Sequence, residues 1–378
     1  MWPLVLVAAL AGCGRVGFSA VGDGGAADDS PSGNAICGTR DRPTLAMGAT
    51  STCVVRLDGS LWCTGDEWGL RFTRVDNSTR YLRVDAEEES FCALDVDCEL
   101  LCWGNNGNGE LGLGDRVARV TTPTPVMPGT KWRDIGAGGF HTCAIREDRA
   151  LFCWGRNLEG ELGVGDKVDR HVPTRVGIET WWQRIARGYL FTCASDDQDR
   201  LWCWGANDSG QLGAGAGPDV EVPQLVLGGA WNEATAGKQH ICALDDARRM
   251  WCWGLNLMGQ LATGDFTSPI TAPTQIQGSA TWSAVAAGRF TTCGLQGTAL
   301  WCWGDNAFGA VGVPGAPEVN LPANVQTPAA WSALSPMNVA TCAFDAAGEL
   351  YCWGENDTGQ LGLGDTMTRF TPAKVTFP

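Results

Sequence analysis

The sequence predicts an all-β protein built from seven copies of one repeat unit. The unit is clearest at Thr142–Asp166, where a strand-like run through Ile145, a polar turn and a second run, Leu151–Trp154, give a β-hairpin pattern followed by a glycine-spaced loop. The second cysteine of each hairpin recurs at steps of 39, 51, 50, 49, 50 and 50 residues: Cys63, Cys102, Cys153, Cys203, Cys252, Cys302 and Cys352. A fixed period of about 50 with several strand-like runs in each copy is typical of a propeller or a solenoid.

Each hairpin carries two cysteines whose spacing places them opposite each other. Cys143 and Cys153 lie ten residues apart, so a three-residue turn at Glu147–Arg149 pairs them directly across the two strands. Opposed residues at a non-hydrogen-bonded pair are about 4.5 Å apart at Cα, and a disulfide accepts Cα separations from about 4.4 Å upward. In the sixth copy the spacing is nine and the turn moves to Gly297–Thr298, where glycine in the first position suits a type II′ turn. Because the spacing and the turn chemistry change together, the pattern favours cross-strand pairing.

Two further runs complete a four-stranded unit. In five copies a tryptophan opens an Ala/Gly-rich run ahead of the hairpin, and a Pro-x-x-Val run such as Pro173–Val176 follows the loop. A unit of this size buries too little surface alone, so the copies are expected to stack. The tryptophans that directly follow the second cysteine are expected to pack between neighbouring units: Trp103, Trp154, Trp204, Trp253, Trp303 and Trp353.

These copies resemble the regulator of chromosome condensation repeat family, whose members fold as seven-bladed β-propellers. The residues that carry the resemblance are Gly136–Cys143, Cys153–Gly155, Asn157, Gly160–Asp166 and the seventh copy, Thr341–Asp365. The resemblance covers about Arg42 to the C-terminus and implies a seven-bladed propeller of four-stranded blades. The first copy departs from the pattern by losing most of its glycine-rich loop around Thr64–Arg71, and the sixth ends at Val311–Gly315 without the final aspartate.

The two ends of the repeat array suggest how the ring closes. The first copy starts at Leu45–Ala49 without a preceding Pro-x-x-Val run, whereas the chain ends with a surplus one at Thr371–Phe377. We therefore expect the C-terminal strand to complete the first blade, which would remove the exposed edges of an open sheet array.

Fourteen of the 17 cysteines fall into seven hairpin pairs, which we expect to be disulfides: Cys53 with Cys63, Cys92 with Cys102, Cys143 with Cys153, Cys193 with Cys203, Cys242 with Cys252, Cys293 with Cys302, and Cys342 with Cys352. Cys37 and Cys98 are expected to pair with each other, and Cys92 with Cys98 is the competing choice. Zinc sites need close Cys and His clusters, and the chain has only 3 histidines. One pair per unit favours disulfides and an oxidising compartment.

The N-terminus predicts a lipid-anchored envelope protein. Residues 1–12 are apolar and too few to span a membrane, which is typical of a signal peptide, although no Lys or Arg precedes the run. Leu10–Cys13 resembles a bacterial lipobox, in which cleavage before Cys13 leaves that residue to carry the lipid. Residues 13–36 include the Gly-, Ala-, Asp- and Ser-rich Val21–Asn34 and are expected to form a flexible tether, so that the propeller spans 37–378. Gly14, rather than Asp, favours the outer membrane.

The net charge of −15 argues against a nucleic-acid partner, because a protein that grips phosphate is expected to show a basic face. The resembled family is best known for nucleotide exchange on a nuclear GTPase, but its exchange residues match nothing in this sequence. An acidic, disulfide-rich lipoprotein would also lie in the wrong compartment for that activity.

The search for catalytic residues yields mainly structural interpretations. His141 and His240 share one repeat position and are expected to be structural, and His171 is expected at the surface. Glu159 and Glu161 are the candidate carboxylates for a glycan hydrolase or lyase, but Gln211, Gln260 and Gln360 align with Glu161, which indicates framework. The recurring loop aspartates fit turn caps better than calcium ligands: Asp115, Asp166, Asp265 and Asp365. No catalytic residue, metal or cofactor is expected.

The segments that fail to repeat are the best candidates for function. They differ in charge and length while the framework stays fixed: Asp115–Pro125, Asp166–Pro173, Ala216–Pro223, Asp265–Pro273 and Gly315–Pro322. Ligands most often meet the loops of a rigid scaffold. The sequence therefore predicts a monomeric, non-enzymatic scaffold that binds an envelope or extracellular protein or polysaccharide.

Overall fold

The computed structural model describes residues 37–38, 43–177, 180–276, 280–327, 330–336 and 339–378. They form seven four-stranded antiparallel sheets, which we number as blades 1 to 7 along the chain. This confirms the predicted all-β, seven-bladed architecture. The predicted signal peptide, the lipid-bearing Cys13 and the tether lie outside the described residues. Among the described residues, no helix has the length and apolar character needed to cross a membrane.

The blades are built from strands that follow one another in the chain. Blade 1 contains β1 Thr44–Met47, β2 Ser51–Val55, β3 Leu61–Gly65 and β4 Gly69–Arg74; blade 2 contains β5 Tyr81–Glu87, β6 Ser90–Asp95, β7 Leu100–Asn105 and β8 Arg119–Val126; blade 3 contains β9 Trp132–Ala137, β10 His141–Arg146, β11 Leu151–Gly155 and β12 Arg170–Arg175; blade 4 contains β13 Trp182–Arg187, β14 Phe191–Asp196, β15 Leu201–Gly205 and β16 Val220–Leu225. Blade 5 contains β17 Trp231–Ala236, β18 His240–Asp245, β19 Met250–Gly254 and β20 Ile270–Gln275; blade 6 contains β21 Ala284–Ala287, β22 Thr291–Gln296, β23 Ala299–Asp305 and β24 Glu318–Asn324; blade 7 contains β25 Trp331–Pro336, β26 Ala340–Asp345, β27 Leu350–Gly354 and β28 Arg369–Lys374.

The hairpins have the register that the cysteine spacing predicts. Cys143 lies directly opposite Cys153 across β10 and β11, and Arg149, the third turn residue, adopts a φ of 66°. In blade 6, Gln296 pairs with Ala299, so Gly297 and Thr298 form the whole turn, and Gly297 has a φ of 60° as a type II′ turn requires. Each hairpin pair is bonded with a Cα–Cα distance of 4.1 to 4.2 Å.

Cys37 is bonded to Cys98, with the two Cα atoms 5.6 Å apart. Cys98 occupies the third position of the β6–β7 turn, and Cys92 lies instead in β6 opposite Cys102, to which it is bonded. The competing pair, Cys92 with Cys98, is therefore absent from the structure.

The expectation that the C-terminal strand completes blade 1 is wrong. β28 pairs with β27 in blade 7, and blade 1 supplies its own outer strand, β4. The physical reason is the missing loop: the chain turns directly from Gly65 to Gly69, which leaves residues 69–74 free to form the fourth strand.

The ring closes through a loop rather than through an exchanged strand. Thr52 Oγ1 donates to the Gln360 carbonyl at 2.7 Å, and Gly364 N donates to the Leu70 carbonyl at 2.8 Å. Other blades make the same contact, as when Gly165 N donates to the Glu221 carbonyl at 2.9 Å. After β28, Phe377 packs on Phe72 of blade 1 with ring centroids 4.9 Å apart. The C-terminus thus covers blade 1 without joining its sheet.

The predicted packing of the tryptophans between blades is confirmed. All six that follow the second hairpin cysteine are at most 1 % exposed. Five of them donate the indole N–H to a carbonyl of the preceding blade at 2.8 to 3.0 Å: Trp154 to Glu110, Trp204 to Glu161, Trp253 to Gln211, Trp303 to Gln260 and Trp353 to Ala310. Trp103 follows the blade without a glycine-rich loop, and its buried indole nitrogen has no hydrogen-bond partner.

The antiparallel order gives the propeller two different faces. The connections from first to second strand and from third to fourth strand lie together at one end of each blade, which we call the loop face. The hairpin turns between second and third strands lie at the opposite end, the hairpin face, where Cys98 holds Cys37. The first strands of all blades line a central channel.

Candidate functional site: the loop face and the channel mouth

The glycine-rich loops of the loop face are held by an asparagine and an aspartate. Asn157 Nδ2 donates to the Asp166 carbonyl at 2.7 Å, and Asn157 Oδ1 accepts from Leu162 N at 2.9 Å. Asp166 Oδ1 accepts from Val168 N at 3.0 Å. This backbone N–H, followed by the Arg170 guanidinium, holds the pKa of Asp166 below its usual range. The aspartate is therefore a turn cap, as predicted.

The other predicted aspartates have the same role. Asp115, Asp265 and Asp365 each accept from the backbone N–H two residues later, at 2.9 to 3.3 Å. Within the described part of the chain, no group of three or more His, Cys, Asp or Glu side chains could hold a metal ion.

Glu161 and Glu159 belong to the framework. Glu161 is fully buried, and its carboxylate accepts from Glu159 N at 2.8 Å and pairs with Arg156 at 3.0 Å. Gln211 accepts from Ser209 N in the same way. Burial raises the pKa of Glu161, but its carboxylate points into the loop that it supports. The structure therefore brings no pair of free carboxylates together at these positions.

The two register-matched histidines join neighbouring blades. His141 Nε2 lies 2.7 Å from Thr192 Oγ1, and His240 Nε2 lies 2.9 Å from Thr292 Oγ1. Burial lowers the pKa of both rings to about 3, so both are neutral at physiological pH. This agrees with a structural role.

His171 is less exposed than the surface position that we expected for it. It is half-buried because its side chain packs against the backbone of Gly109 in the preceding blade, where an added Cβ would lie 2.6 Å from the ring. It therefore belongs to the contact between blades 2 and 3.

Large exposed apolar side chains are concentrated on the loop face. Twelve lie on its loops or on the adjoining halves of the outer strands: Leu70, Val117, Leu158, Val168, Val172, Val222, Leu257, Phe266, Phe308, Leu321, Met367 and Phe370. Only four lie elsewhere in the described chain: Leu57, Met127, Trp181 and Leu227. Scattered exposed apolar residues are normal, whereas here they are concentrated on one face.

Cationic and aromatic side chains alternate around part of the channel mouth on this face. We call this set the cation–aromatic arc; it comprises Arg156, Phe140, Tyr189, Lys238, Phe290 and Arg289. Phe140 and Tyr189 meet edge to face with ring centroids 5.2 Å apart. Lys238 Nζ lies 4.8 Å from the Tyr189 ring centroid and 5.6 Å from that of Phe290. The arc runs from blade 3 to blade 6 through the connections between first and second strands, except for Arg156, which lies in the connection between the third and fourth strands of blade 3.

The mouth carries the opposite charge at blade 2, where Glu88 and Glu89 occupy the repeat positions of Lys238 and Phe290 and Glu87 directly precedes them. Glu89 is paired with Arg119 at 2.7 Å. Burial raises the pKa of Glu87 to about 7, against the influence of Arg187. Burial, followed by the nearby Arg289, lowers the pKa of Lys238, and Glu88 acts in the opposite direction. The mouth is therefore electrostatically polarised.

Inside the channel, carboxylates of the first strands accept hydrogen bonds from backbone N–H groups in the first strand of the next blade. Asp134 Oδ2 accepts from Ile185 N at 2.9 Å, and Glu233 Oε1 accepts from Val285 N at 3.1 Å. Arg187 pairs with Asp85 at 2.6 Å. In blades 6 and 7 the positions that correspond to Asp134 and Glu233 are Ala284 and Ala333. A cavity of about 350 Å³ in the channel is lined by the first strands of these two blades and of blades 1, 2, 4 and 5. These charged residues of the channel therefore form hydrogen bonds and ion pairs that join neighbouring blades.

The sequence interpretation missed the cation–aromatic arc. Tyr189, Lys238 and Arg289 stand four residues before the first hairpin cysteine of their copies, where other copies carry Ala49, Glu88 and Gly139. A comparison of this one position across the copies would have revealed a charged and variable ring, but only the closed propeller shows which members are neighbours.

The chain matches known repeats and folds. The family model described as the regulator of chromosome condensation (RCC1) repeat matches residues 97–145, 149–195, 198–244, 249–295 and 347–378, which make up more than half of the chain. A second model with the same description matches residues 132–161, 183–211 and 234–260.

Two relatives share part of the sequence. The Ultraviolet-B receptor UVR8 of Arabidopsis thaliana is 41% identical over 90 residues, which cover 23% of this chain and 20% of that protein. The probable E3 ubiquitin-protein ligase HERC4 of Homo sapiens is 40% identical over 83 residues, 21% of this chain and 8% of that protein. The chain thus spans a fifth or less of the length of these relatives.

Two crystal structures share the fold. Human WBSCR16 superposes with a TM-score of 0.74 at 19% identity, over 82% of this chain and 85% of that one. Prp20p of Saccharomyces cerevisiae, described with its binding properties to Gsp1p and histones, superposes with a TM-score of 0.73 at 21% identity, over 82% of this chain and 80% of that one. At such identities the likeness shows the fold alone.

Proposed function

The chain belongs to the regulator of chromosome condensation repeat family, and from this premise we propose that it is a non-enzymatic, lipid-anchored scaffold of the cell envelope that binds a protein through its loop face. The observation that carries the proposal is the concentration of twelve large exposed apolar side chains on that face. A protein partner buries such side chains at the core of an interface.

The position of the N-terminal segment supports this arrangement. Cys37, the first described residue, is bonded to Cys98 on the hairpin face. A tether that starts from a lipid on Cys13 would therefore reach the propeller at the hairpin face and leave the loop face directed away from the membrane. The eight disulfides fit an oxidising compartment.

The other candidate activities have less support. A glycan hydrolase or lyase would need free carboxylates, and Glu161 supports its own loop while Glu159 pairs with Arg156 at 3.1 Å. Nucleotide exchange would rest on the likeness to Prp20p, which shows only the fold. Polysaccharide binding is the alternative that the experiment below separates from protein binding.

The test is affinity capture from an envelope extract, with the full chain carrying Cys13→Ser as bait. A protein partner should be enriched and should be lost when exposed apolar residues of the loop face are replaced together, as in Phe266→Ser, Phe308→Ser and Met367→Ser. The matched control replaces three exposed apolar residues of the hairpin face that are on average more exposed, Leu57→Ser, Trp181→Ser and Leu227→Ser, and should retain the partner. Enrichment of a glycan would support the alternative, and enrichment of nothing would remove the binding proposal.

The anchor has its own test. Metabolic labelling with a radioactive fatty acid should label the intact chain in its native host and should leave the Cys13→Ser variant unlabelled. Equal labelling of both chains, or of neither, would contradict the lipoprotein assignment.

A further inference from the structure

The cation–aromatic arc contains a lysine that the framework does not use. Lys238 is half-buried against Tyr189 and Phe290, and among the described residues it forms no ion pair. The same position holds alanine, glutamate, glycine, tyrosine, arginine or asparagine in the other copies, so the blade does not require a lysine there. A half-buried ammonium group is unfavourable, and burial followed by the nearby Arg289 lowers the pKa of Lys238 against the opposing influence of Glu88.

The other cations and the aromatic rings of the arc indicate which chemical group Lys238 is suited to bind. Arg289 Cζ lies 5.5 Å from the Phe290 ring centroid, and Arg156 Cζ lies 5.9 Å from that of Phe140. Three cations thus lie in contact with three aromatic rings beside a mouth that is acidic at blade 2, in a protein whose net charge is −15. Arg156 is already paired with Glu159 and Glu161, so the anion-binding role falls to Lys238 and Arg289. The charge complement of the arc is a carboxylate, and its aromatic walls suit an apolar neighbour of that carboxylate.

We propose that the cation–aromatic arc is the anion-binding centre of the loop face and receives an acidic, apolar-flanked segment of a protein partner. The inference rests on the proposed function and adds the chemistry of the partner. Arginine, tyrosine and phenylalanine are enriched at the centres of protein interfaces, and the exposed apolar side chains farther out on the loop face surround the arc as the remainder of such an interface would. Glu87 and Glu88 would then face basic residues of the same partner and set its orientation.

The experiment measures binding of a short fluorescein-labelled peptide of alternating glutamate and leucine to the full chain carrying Cys13→Ser, by fluorescence anisotropy. A peptide with lysine in place of glutamate is the charge control. The acidic peptide should bind preferentially, and its affinity should fall as the salt concentration rises from about 20 to about 200 mM, because the contacts are partly exposed to solvent. Lys238→Gln should weaken binding, and Lys238→Glu and Arg289→Glu should weaken it about tenfold or more.

The matched control is Arg116→Glu, which makes the same charge change on the same face, where Arg116 Nε donates to the Gly107 carbonyl away from the arc. It should change the affinity less than about twofold. Near-ultraviolet circular dichroism of each variant checks that the propeller is folded.

Several results would overturn the inference. One is equal binding of the acidic and basic peptides, and another is a loss in Arg116→Glu as large as that in Lys238→Glu. Polygalacturonate binding where the acidic peptide does not would assign the arc to an anionic glycan. If the captured partner depends on Phe266, Phe308 and Met367 but is retained by Lys238→Glu, the proposed function stands and the arc is not its centre.

Discussion

Trp204 donates its indole N–H to the backbone carbonyl of Glu161 in the preceding blade, 2.9 Å away. The same carbonyl accepts from Thr192 Oγ1 at 2.8 Å. One carbonyl of a glycine-rich loop thus receives a strand-two hydroxyl and a strand-three indole from the next blade. Because the contact recurs around the ring, the loops are the joints that align the blades.

We expect Trp204→Phe to destabilise the protein more than Trp103→Phe. Both changes shrink a buried ring, but only Trp204 loses a hydrogen bond, since the Trp103 indole nitrogen has no acceptor. The difference in the free energy of unfolding should be about 1 kcal/mol. Denaturant unfolding of the two variants side by side measures it, and equal losses would contradict the role assigned to the joint.

His141 and His240 should remain neutral far below the usual histidine pKa of 6.5, because burial lowers both values to about 3. Unfolded chains take up these protons near pH 6.5, so between about pH 6.5 and 3 each histidine lowers the stability of the folded state as the pH falls. Carbon-13 chemical shifts of the two rings should stay constant from pH 7 to about pH 4 in the folded protein. A midpoint near the ordinary value in the folded protein would show that the rings are not enclosed as described.

Glu233→Gln should stabilise the protein more at pH 8 than at pH 5. Burial raises the pKa of Glu233 to about 7, against the Val285 N–H and Arg248, so its contribution to stability is present below the unfolded value of 4.5 and is lost as the pH rises through 7. Glutamine keeps an acceptor for Val285 N without the charge. The relative gain should be on the order of 1 to 3 kcal/mol, measured by denaturant unfolding at the two pH values.

The control for this prediction is Glu349→Gln, which alters a half-exposed pair with Lys374 at 3.3 Å and should have little effect at either pH. A gain from Glu233→Gln that does not grow between pH 5 and pH 8 would contradict the raised pKa of this buried carboxyl.

Removing the Cys37–Cys98 disulfide should destabilise the chain more than removing Cys143–Cys153. The two bonds close loops with sequence separations of 61 and 10 residues, for which the chain-entropy model gives about 4 and about 3 kcal/mol. Paired Cys→Ala variants, compared by denaturant unfolding under non-reducing conditions, measure the difference. Peptide mapping of the intact chain should recover Cys37 linked to Cys98, and a peptide linking Cys92 to Cys98 would refute this pairing.

The hairpins could be predicted because their determinants are local. A ten-residue cysteine spacing and a three-residue turn fix the register of Cys143 and Cys153 within one strand pair. The loop aspartates could be predicted as caps for the same reason, since Asp166 bonds the N–H of Val168 only two residues away. The closure of the ring could not be predicted, because it depends on whether residues 69–74 pair with β3. The shortened loop of the first copy removed the pattern that marks this strand in the other copies.

By itself, the sequence determined the repeat, the strands of the blades other than the outer strand of blade 1, the cysteine register and the packing of tryptophans between copies, because spacing and alternation act over a few residues. Only the tertiary structure decided how the ring closes and which side chains meet at the mouth of the channel. Tyr189, Lys238 and Arg289 are separated by about fifty residues each along the chain, and they become neighbours because stacked blades place equivalent loops side by side around one channel.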